Sequence, residues 1–283
     1  MVPHVTRAHP DQPLPHPAAL VHRARRTRRL ASMPISRATG EFPVDWQRAR
    51  SDASRTLASI DWSRSDIVVW VPGTDSSIIH PQFAQSMRDA ARGRSLTLVR
   101  MHHQASWNMR PSVATGIATM RLVLAGIAAH GGNHRVMLAG ESQGAWIIGE
   151  ALADPLLRAA VDRAVLLGHP WLAAHQYADG HDPDVRVINN PGDLVTIPVT
   201  GDPGRGLDAM VAVYTLQWAR FPLVARAMLE NPVHAVKLIS NLRFAIPVLK
   251  HLWKNPHDYG DQMQDVAQFL LRSGQQPARK RPV

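Results

Sequence analysis

The sequence predicts an α/β fold, a mostly parallel sheet with helices on both faces. Three observations predict it. Short β-branched apolar runs recur along the chain, stretches of helical or loop character separate them, and one run passes through Gly140-Glu141-Ser142-Gln143-Gly144 directly into a helical pattern. With 283 residues, 45% hydrophobic and 19% charged, the chain is long enough and apolar enough to bury one large elaborated domain.

Residues 1–40 are rich in Pro, His and Arg without apolar periodicity and read as a disordered basic arm, with folding expected from about Phe42. The run Ile67-Val68-Val69-Trp70-Val71, cut by Pro72-Gly73, has the composition of a buried central strand ending in a sharp turn. Leu96 to Val99 predicts the next strand. Ser112 is the expected N-cap of a long apolar helix toward Ala129, ended by Gly131-Gly132. Arg135 to Ala139 predicts a strand and Ala145 to Leu152 a helix, so the glycine-serine turn lies between them. Strands are expected again at Ala164 to Leu167 and Val185 to Ile188.

From about Leu207 to Lys254 the pattern becomes helical only: Met210 to Arg220, Leu223 to Glu230 and Val233 to Trp253, with Pro222, Pro232 and Pro247 as breakers or kinks. A final helix is expected from Asp261 to Leu271. The chain thus divides into a basic arm (1–40), a core (41–206 and 255–274), a helical insertion acting as linker or lid (207–254) and a basic tail (275–283).

The net charge of +10 sits largely in the tails, in Arg23, Arg25, Arg26, Arg28 and Arg29 at one end and Arg279, Lys280 and Arg281 at the other. Such tails suit solvated extensions or contact with an anionic surface, and no nucleic-acid reader motif accompanies them. With no cysteine, a disulfide framework and a thiolate metal site are excluded. No cofactor motif is present either. The basic stretch before Met33, itself a possible start, lacks the apolar core of a signal peptide, so synthesis in the cytoplasm, with release toward the envelope, is the expectation.

The chemistry centres on Ser142. A Gly-x-Ser-x-Gly pattern between strand and helix is the context a nucleophile elbow requires, because flanking side chains would clash in so tight a turn. On this fold the partners follow in the order serine, acid, histidine. Asp193 lies in the loop after the strand Val185 to Ile188. His257, in Asn255-Pro256-His257-Asp258-Tyr259, precedes the last helix. Asp182 and Asp184 stand at the wrong end of their strand; His134, His169, His234 and His251 read as packing or solvated residues. The turn Pro72-Gly73-Thr74-Asp75 is placed to offer an oxyanion amide from Thr74 beside that of Gln143.

These residues resemble the cutinase superfamily of α/β-hydrolases. Gly-Glu-Ser-Gln-Gly-Ala following Arg135 to Ala139, with Trp-Asn-Met-Arg-Pro-Ser-Val-Ala-Thr-Gly at Trp107 to Gly116 upstream, looks most like the lysin B enzymes of mycobacteriophages, which are mycolylarabinogalactan esterases. The resemblance covers about residues 66 to 260. It implies a triad of Ser142, Asp193 and His257, an oxyanion hole at Thr74 and Gln143, and a lipid-like ester or mycobacterial-type cell-wall polymer as substrate. Glu141 stands where that family usually has an aromatic residue, and the helical insertion is shorter. An actinobacterial lipase or carboxylesterase, and a non-catalytic lipid- or cell-wall-binding module on the same scaffold, are alternative readings.

Overall fold

The computed structural model describes residues 42–171, 173, 182–191, 193–196, 208, 211–212, 219, 221–230 and 257–272. The expected basic arm and tail, the helix from Val233 to Trp253 with His234 and His251, and most of the helix from Met210 to Arg220 lie outside these residues. Their elements run α1 (Trp46–Ala58), β1 (Asp66–Val71), α2 (Pro81–Ala90), β2 (Leu96–Arg100), α3 (Met109–His130), β3 (Arg135–Glu141), α4 (Gln143–Leu152), α5 (Pro155–Arg158), β4 (Arg163–Leu167), β5 (Val185–Ile188), α6 (Phe221–Glu230) and α7 (Met263–Leu271). Single 3-10 turns fall at Leu194–Thr196 and Gly260–Gln262.

All five strands pair in parallel in the order β2-β1-β3-β4-β5. Every residue of β1 is buried, because its alternating side chains meet two different cores. Ile67, Val69 and Val71 face the cluster built with α1, α3 and α4. Val68 and Trp70 face Phe83 and Met87 of α2 and Met263, Val266 and Leu270 of α7. At about 1.5–3 kcal/mol for each large apolar side chain removed from water, β1 is the strand that anchors the sheet. In β5 only Val185 is buried, as suits an edge. Asp66, buried in β1, meets the Arg135 guanidinium at 3.4 Å.

The strands appear where the apolar runs predict them. Three helices, α1, α2 and the single-turn α5, do not follow from those runs. The buried stripe of α1 is Ala49, Asp52, Ala53 and Thr56, residues too small and polar to stand out as an apolar run. In α2 only Phe83 and Met87 are buried. The expected N-cap at Ser112 is corrected: α3 begins at Met109 with Asn108 before it. Pro111 lies in the first turn, where its missing N–H breaks no helical bond, so the helix starts ahead of it. Pro222 likewise occupies the first turn of α6, so the helix expected from Leu223 begins at Phe221. Among the described residues α3 is long and apolar enough to cross a membrane, but 78% of its most apolar window is buried in the fold. It is the central helix of one core, as its contacts with α1 and α4 require.

The sheet order sets the site. From β1 the chain goes to one side to form β2 and then to the other side to form β3, so a crevice opens beyond the carboxyl ends of β1 and β3. Only Ser142 separates β3 from α4, and all ten residues of α4 are buried. A parallel sheet covered on both faces, with a one-residue strand–helix elbow at its switch point, is an α/β-hydrolase fold.

Gly144 is where this arrangement is tightest. A Cβ there would overlap the Val71 carbonyl oxygen and lie 2.9 Å from that of Pro72. Gly144→Ala is therefore expected to destabilise the protein by about 3 kcal/mol or more. Gly93→Ala, in open space at φ +77°, should cost only about 1–2 kcal/mol. Urea denaturation of the two variants checks the contrast, and equal losses would contradict the packing described.

Candidate active site

The elbow is built from backbone. Ser142 has φ 55° and ψ −115°, a conformation that side chains disfavour by on the order of 1–3 kcal/mol. It is held by the Ser142 N–H donating to the Leu167 carbonyl of β4 at 2.8 Å and by Trp146 N–H donating to the Ser142 carbonyl at 3.0 Å. A Cβ at Gly140 would meet the Gly144 carbonyl carbon at 2.8 Å, so strand and helix touch through their main chains. This fulfils the expectation that glycine is needed on both sides. The first-turn N–H groups of α4, beginning with Gln143, are directed toward the crevice that Ser142 enters.

Asp193 and His257, 64 residues apart, are brought together: His257 Nδ1 lies 2.8 Å from Asp193 Oδ2. The carboxylate is fully buried. Its Oδ2 also accepts from the Tyr259 hydroxyl at 2.6 Å, and its Oδ1 accepts from Val195 N–H at 2.9 Å. Tyr259 in turn accepts from Asn190 N–H at 3.2 Å, and Asn190 Nδ2 donates to the Asp258 carbonyl at 2.9 Å. The loops after β5 and before α7 are thereby stitched together. With Nδ1–H given to the carboxylate, Nε2 is the basic nitrogen of the neutral His257 ring.

The His257 ring lies against the end of β4. A Cβ on Gly168 would be 2.9 Å from its Cε1. Gly168 directly follows Leu167, the residue that accepts from the Ser142 N–H. The structure thus joins Asp193 to His257 directly and sets their ring at the same sheet edge as the elbow.

Thr74 and Gln143 are also brought together. Gln143 Nε2 donates to Thr74 Oγ1 at 3.3 Å and to the Ser106 carbonyl at 3.1 Å, while Gln143 Oε1 accepts from the Ser112 hydroxyl at 2.8 Å. That uses every polar atom of the buried carboxamide. A Thr74 hydroxyl that accepts from Gln143 keeps its own proton to donate elsewhere. Gly73 packs closely on the elbow, since a Cβ there would lie 3.1 Å from the Glu141 carbonyl oxygen.

Sequence reasoning missed the side-chain role of Ser112, which it reads as a helix cap, and of Tyr259, whose signal is its place in Pro-His-x-Tyr two residues after the histidine. The rejected candidates stand elsewhere. Asp182 and Asp184 pair with Arg158 and Arg163 at the far end of the sheet. His134 Nδ1 is 2.8 Å from the Arg64 carbonyl, at that same end. His169 is buried beside Gly149 of α4, with its N–H on Asn189 Oδ1 at 3.1 Å.

Electrostatics favour a protonatable His257. Burial opposes its charge, but the hydrogen bond and charge of Asp193, with the charges of Glu141 and Asp258, outweigh it and raise its pKa above 6.5. Glu141 is raised above the ordinary carboxylate range, chiefly by burial. For His257 the sign follows: the stability of the charged pair is fully present below the unfolded pKa and is lost as pH rises through the raised folded value. Proton abstraction by the neutral ring gains over that same upward range. Asp193→Asn should therefore lower the His257 pKa, read by NMR titration of the ring; an unchanged or higher value would refute the coupling. Tyr259→Phe strips one donor from a buried carboxylate and leaves Asn190 N–H without its acceptor. A loss of about 1–2 kcal/mol in chemical denaturation is expected.

The chain matches no protein-family model and no curated protein. Among solved structures it is similar to the catalytic core domain of acetyl xylan esterase from Trichoderma reesei, at 16% identity over 54% of this chain and 95% of that one, with a TM-score of 0.40. It is similar to Trichoderma reesei cutinase in complex with a phosphonate inhibitor, at 15% identity over 89% and 97%, with a TM-score of 0.43. A cutinase-like protein from Cryptococcus sp. aligns at 19% identity over 42% and 58%, with a TM-score of 0.35. At such identities and scores, the assignment of fold rests on the sheet order and elbow of this chain itself.

Proposed function

We propose that this protein is a serine carboxylic ester hydrolase with Ser142 as nucleophile, His257 as base and Asp193 as the group that orients the base. The observation that carries the reading is the pairing of a strained, positive-φ serine at a strand–helix elbow with a hydrogen bond from His257 to the buried Asp193 carboxylate at the same edge of the sheet. A strain of this kind persists where surrounding structure over-determines it, and it concentrates at functional sites.

In the proposed reaction, His257 Nε2 takes the Ser142 proton as Oγ bonds to the ester carbonyl carbon. The Gln143 and Thr74 amides receive the negative charge that develops on the carbonyl oxygen. Collapse of the tetrahedral species breaks the bond to the alcohol, which leaves with the proton from His257. Water, deprotonated by the same ring, then releases the acid and restores Ser142. Asp193 holds the ring in the tautomer that each step needs.

The finer reading is a preference for long acyl chains on cell-wall esters of the mycolyl-arabinogalactan type. It is supported by the resemblance of Pro111-Ser112-Val113 to Gly116 and Ser142-Gln143-Gly144-Ala145 to the lysin B enzymes, and by the apolar helical pattern between the candidate acid and histidine.

Hydrolysis of p-nitrophenyl esters from acetate to palmitate, with the parent and Ser142→Ala side by side, tests both levels. The parent is expected to turn over and the variant to lose at least about 10³-fold in kcat while staying folded by circular dichroism. Ester hydrolysis retained by Ser142→Ala would sink the nucleophile. A parent that prefers acetate would remove the long-chain reading and leave the hydrolase.

A further inference from the structure

Outside the residues already given roles, the ring of His103 makes one hydrogen bond to the turn carrying Thr74 and one to the loop that clasps that turn. Its Nε2 lies 2.9 Å from the Pro72 carbonyl oxygen, and its Nδ1 accepts from Ala105 N–H at 3.2 Å. A carbonyl only accepts and an amide N–H only donates, so both contacts together require the neutral ring with its proton on Nε2. The imidazolium would lose the second bond. Burial presses the same way, holding the pKa down to about 4 despite the Pro72 carbonyl; Asp52 and Arg48 of α1 and Arg100 of β2 are the charges that bear on it.

The two anchored loops clasp each other. Asp75 N–H donates to the Ala105 carbonyl at 2.6 Å, and both residues hold positive φ, 63° at Asp75 and 49° at Ala105. Aspartate tolerates this region better than most side chains, but alanine does not, so Ala105 keeps its conformation because surrounding contacts hold it. His103 grips the chain at Pro72, before Thr74, and grips Ala105, which in turn grips Asp75, after Thr74. The ring also packs on α3, where a Cβ at Gly116 would lie 3.8 Å from Nδ1. Thr74 is bracketed from both sides by one imidazole.

We infer that His103 is a positioning residue that fixes the Pro72–Asp75 turn, so that Thr74 meets the developing oxyanion without reorganising. The kinetic side of this inference rests on the ester-hydrolase reading; the structural side does not. An interaction felt only as charge develops lowers kcat when disturbed and leaves KM largely unchanged.

Three variants separate the contacts: His103→Phe keeps the ring volume and neither bond, His103→Gln can still donate toward Pro72, and His103→Asn can still accept from Ala105. With p-nitrophenyl butyrate, His103→Phe should lose at least about tenfold in kcat with KM within about twofold, the two amides falling between it and the parent. Amide hydrogen exchange at Gly73, Thr74 and Asp75 should quicken in the same order, while exchange in β1 and β3 stays unchanged. The parent's ring nitrogen shifts should report a neutral Nε2–H tautomer down to about pH 5. Parent-like kcat and exchange in His103→Phe would overturn the inference, as would exchange rising uniformly across the sheet or a ring that titrates near 6.5. If the parent hydrolyses no ester, it is the enzyme reading that falls, and exchange at 73–75 with the ring titration alone decides the bracket.

Discussion

The structure depends on a backbone contact. The first turn of α4 lies against the ends of β1 and β3 so closely that Gly144 has no room for a Cβ beside the Val71 and Pro72 carbonyls. Everything at the site follows from that approach. It forces β3 to hand over to α4 through a single residue, gives that residue a left-handed conformation, and brings the α4 amides to the crevice at the switch point of the sheet. The hydrophobic cores on the two faces supply stabilisation that offsets the strain, and α4, buried along its whole length, packs into the one that also holds α1 and α3.

Around this fixed elbow the other groups are held by loops tied to one another. Asp193 is locked by Val195, Tyr259 and His257, and Tyr259 by Asn190. On the other side of the crevice, Gln143 ties Thr74, Ser106 and Ser112. Loops carry the chemistry and strands carry the position, the usual division in a parallel α/β protein.

How far the sequence alone reached can be argued from particular residues. The strands and α4 were readable because fully buried strands must be apolar along their length, and because a glycine-bracketed serine between strand and helix has few other uses. Chain order singles out Asp193 and His257 as candidates, and their side chains do meet. Helix α1 escaped because a stripe of Ala, Asp and Thr in an otherwise polar segment makes no apolar run to catch the eye. Ser112 looked like a cap because serine favours caps; its hydroxyl instead serves a partner 31 residues away, and no local pattern records such a bond. Tyr259 and His103 were missed for the same reason. Their partners are fixed by topology, not by spacing along the chain.

The carboxamide of Gln143 has a consequence for how the molecule comes into being. Its three bonds reach segments 69, 37 and 31 residues distant along the chain. None is local. The Asp193–His257 bond adds another closure across 64 residues, and long loops of this kind must be shut against chain entropy before their contacts form. A nascent or half-assembled chain therefore has Ser142 without the surroundings that the finished fold gives it. The geometry of the site arrives with the finished sheet, so any property that depends on that geometry is itself a report that folding is complete.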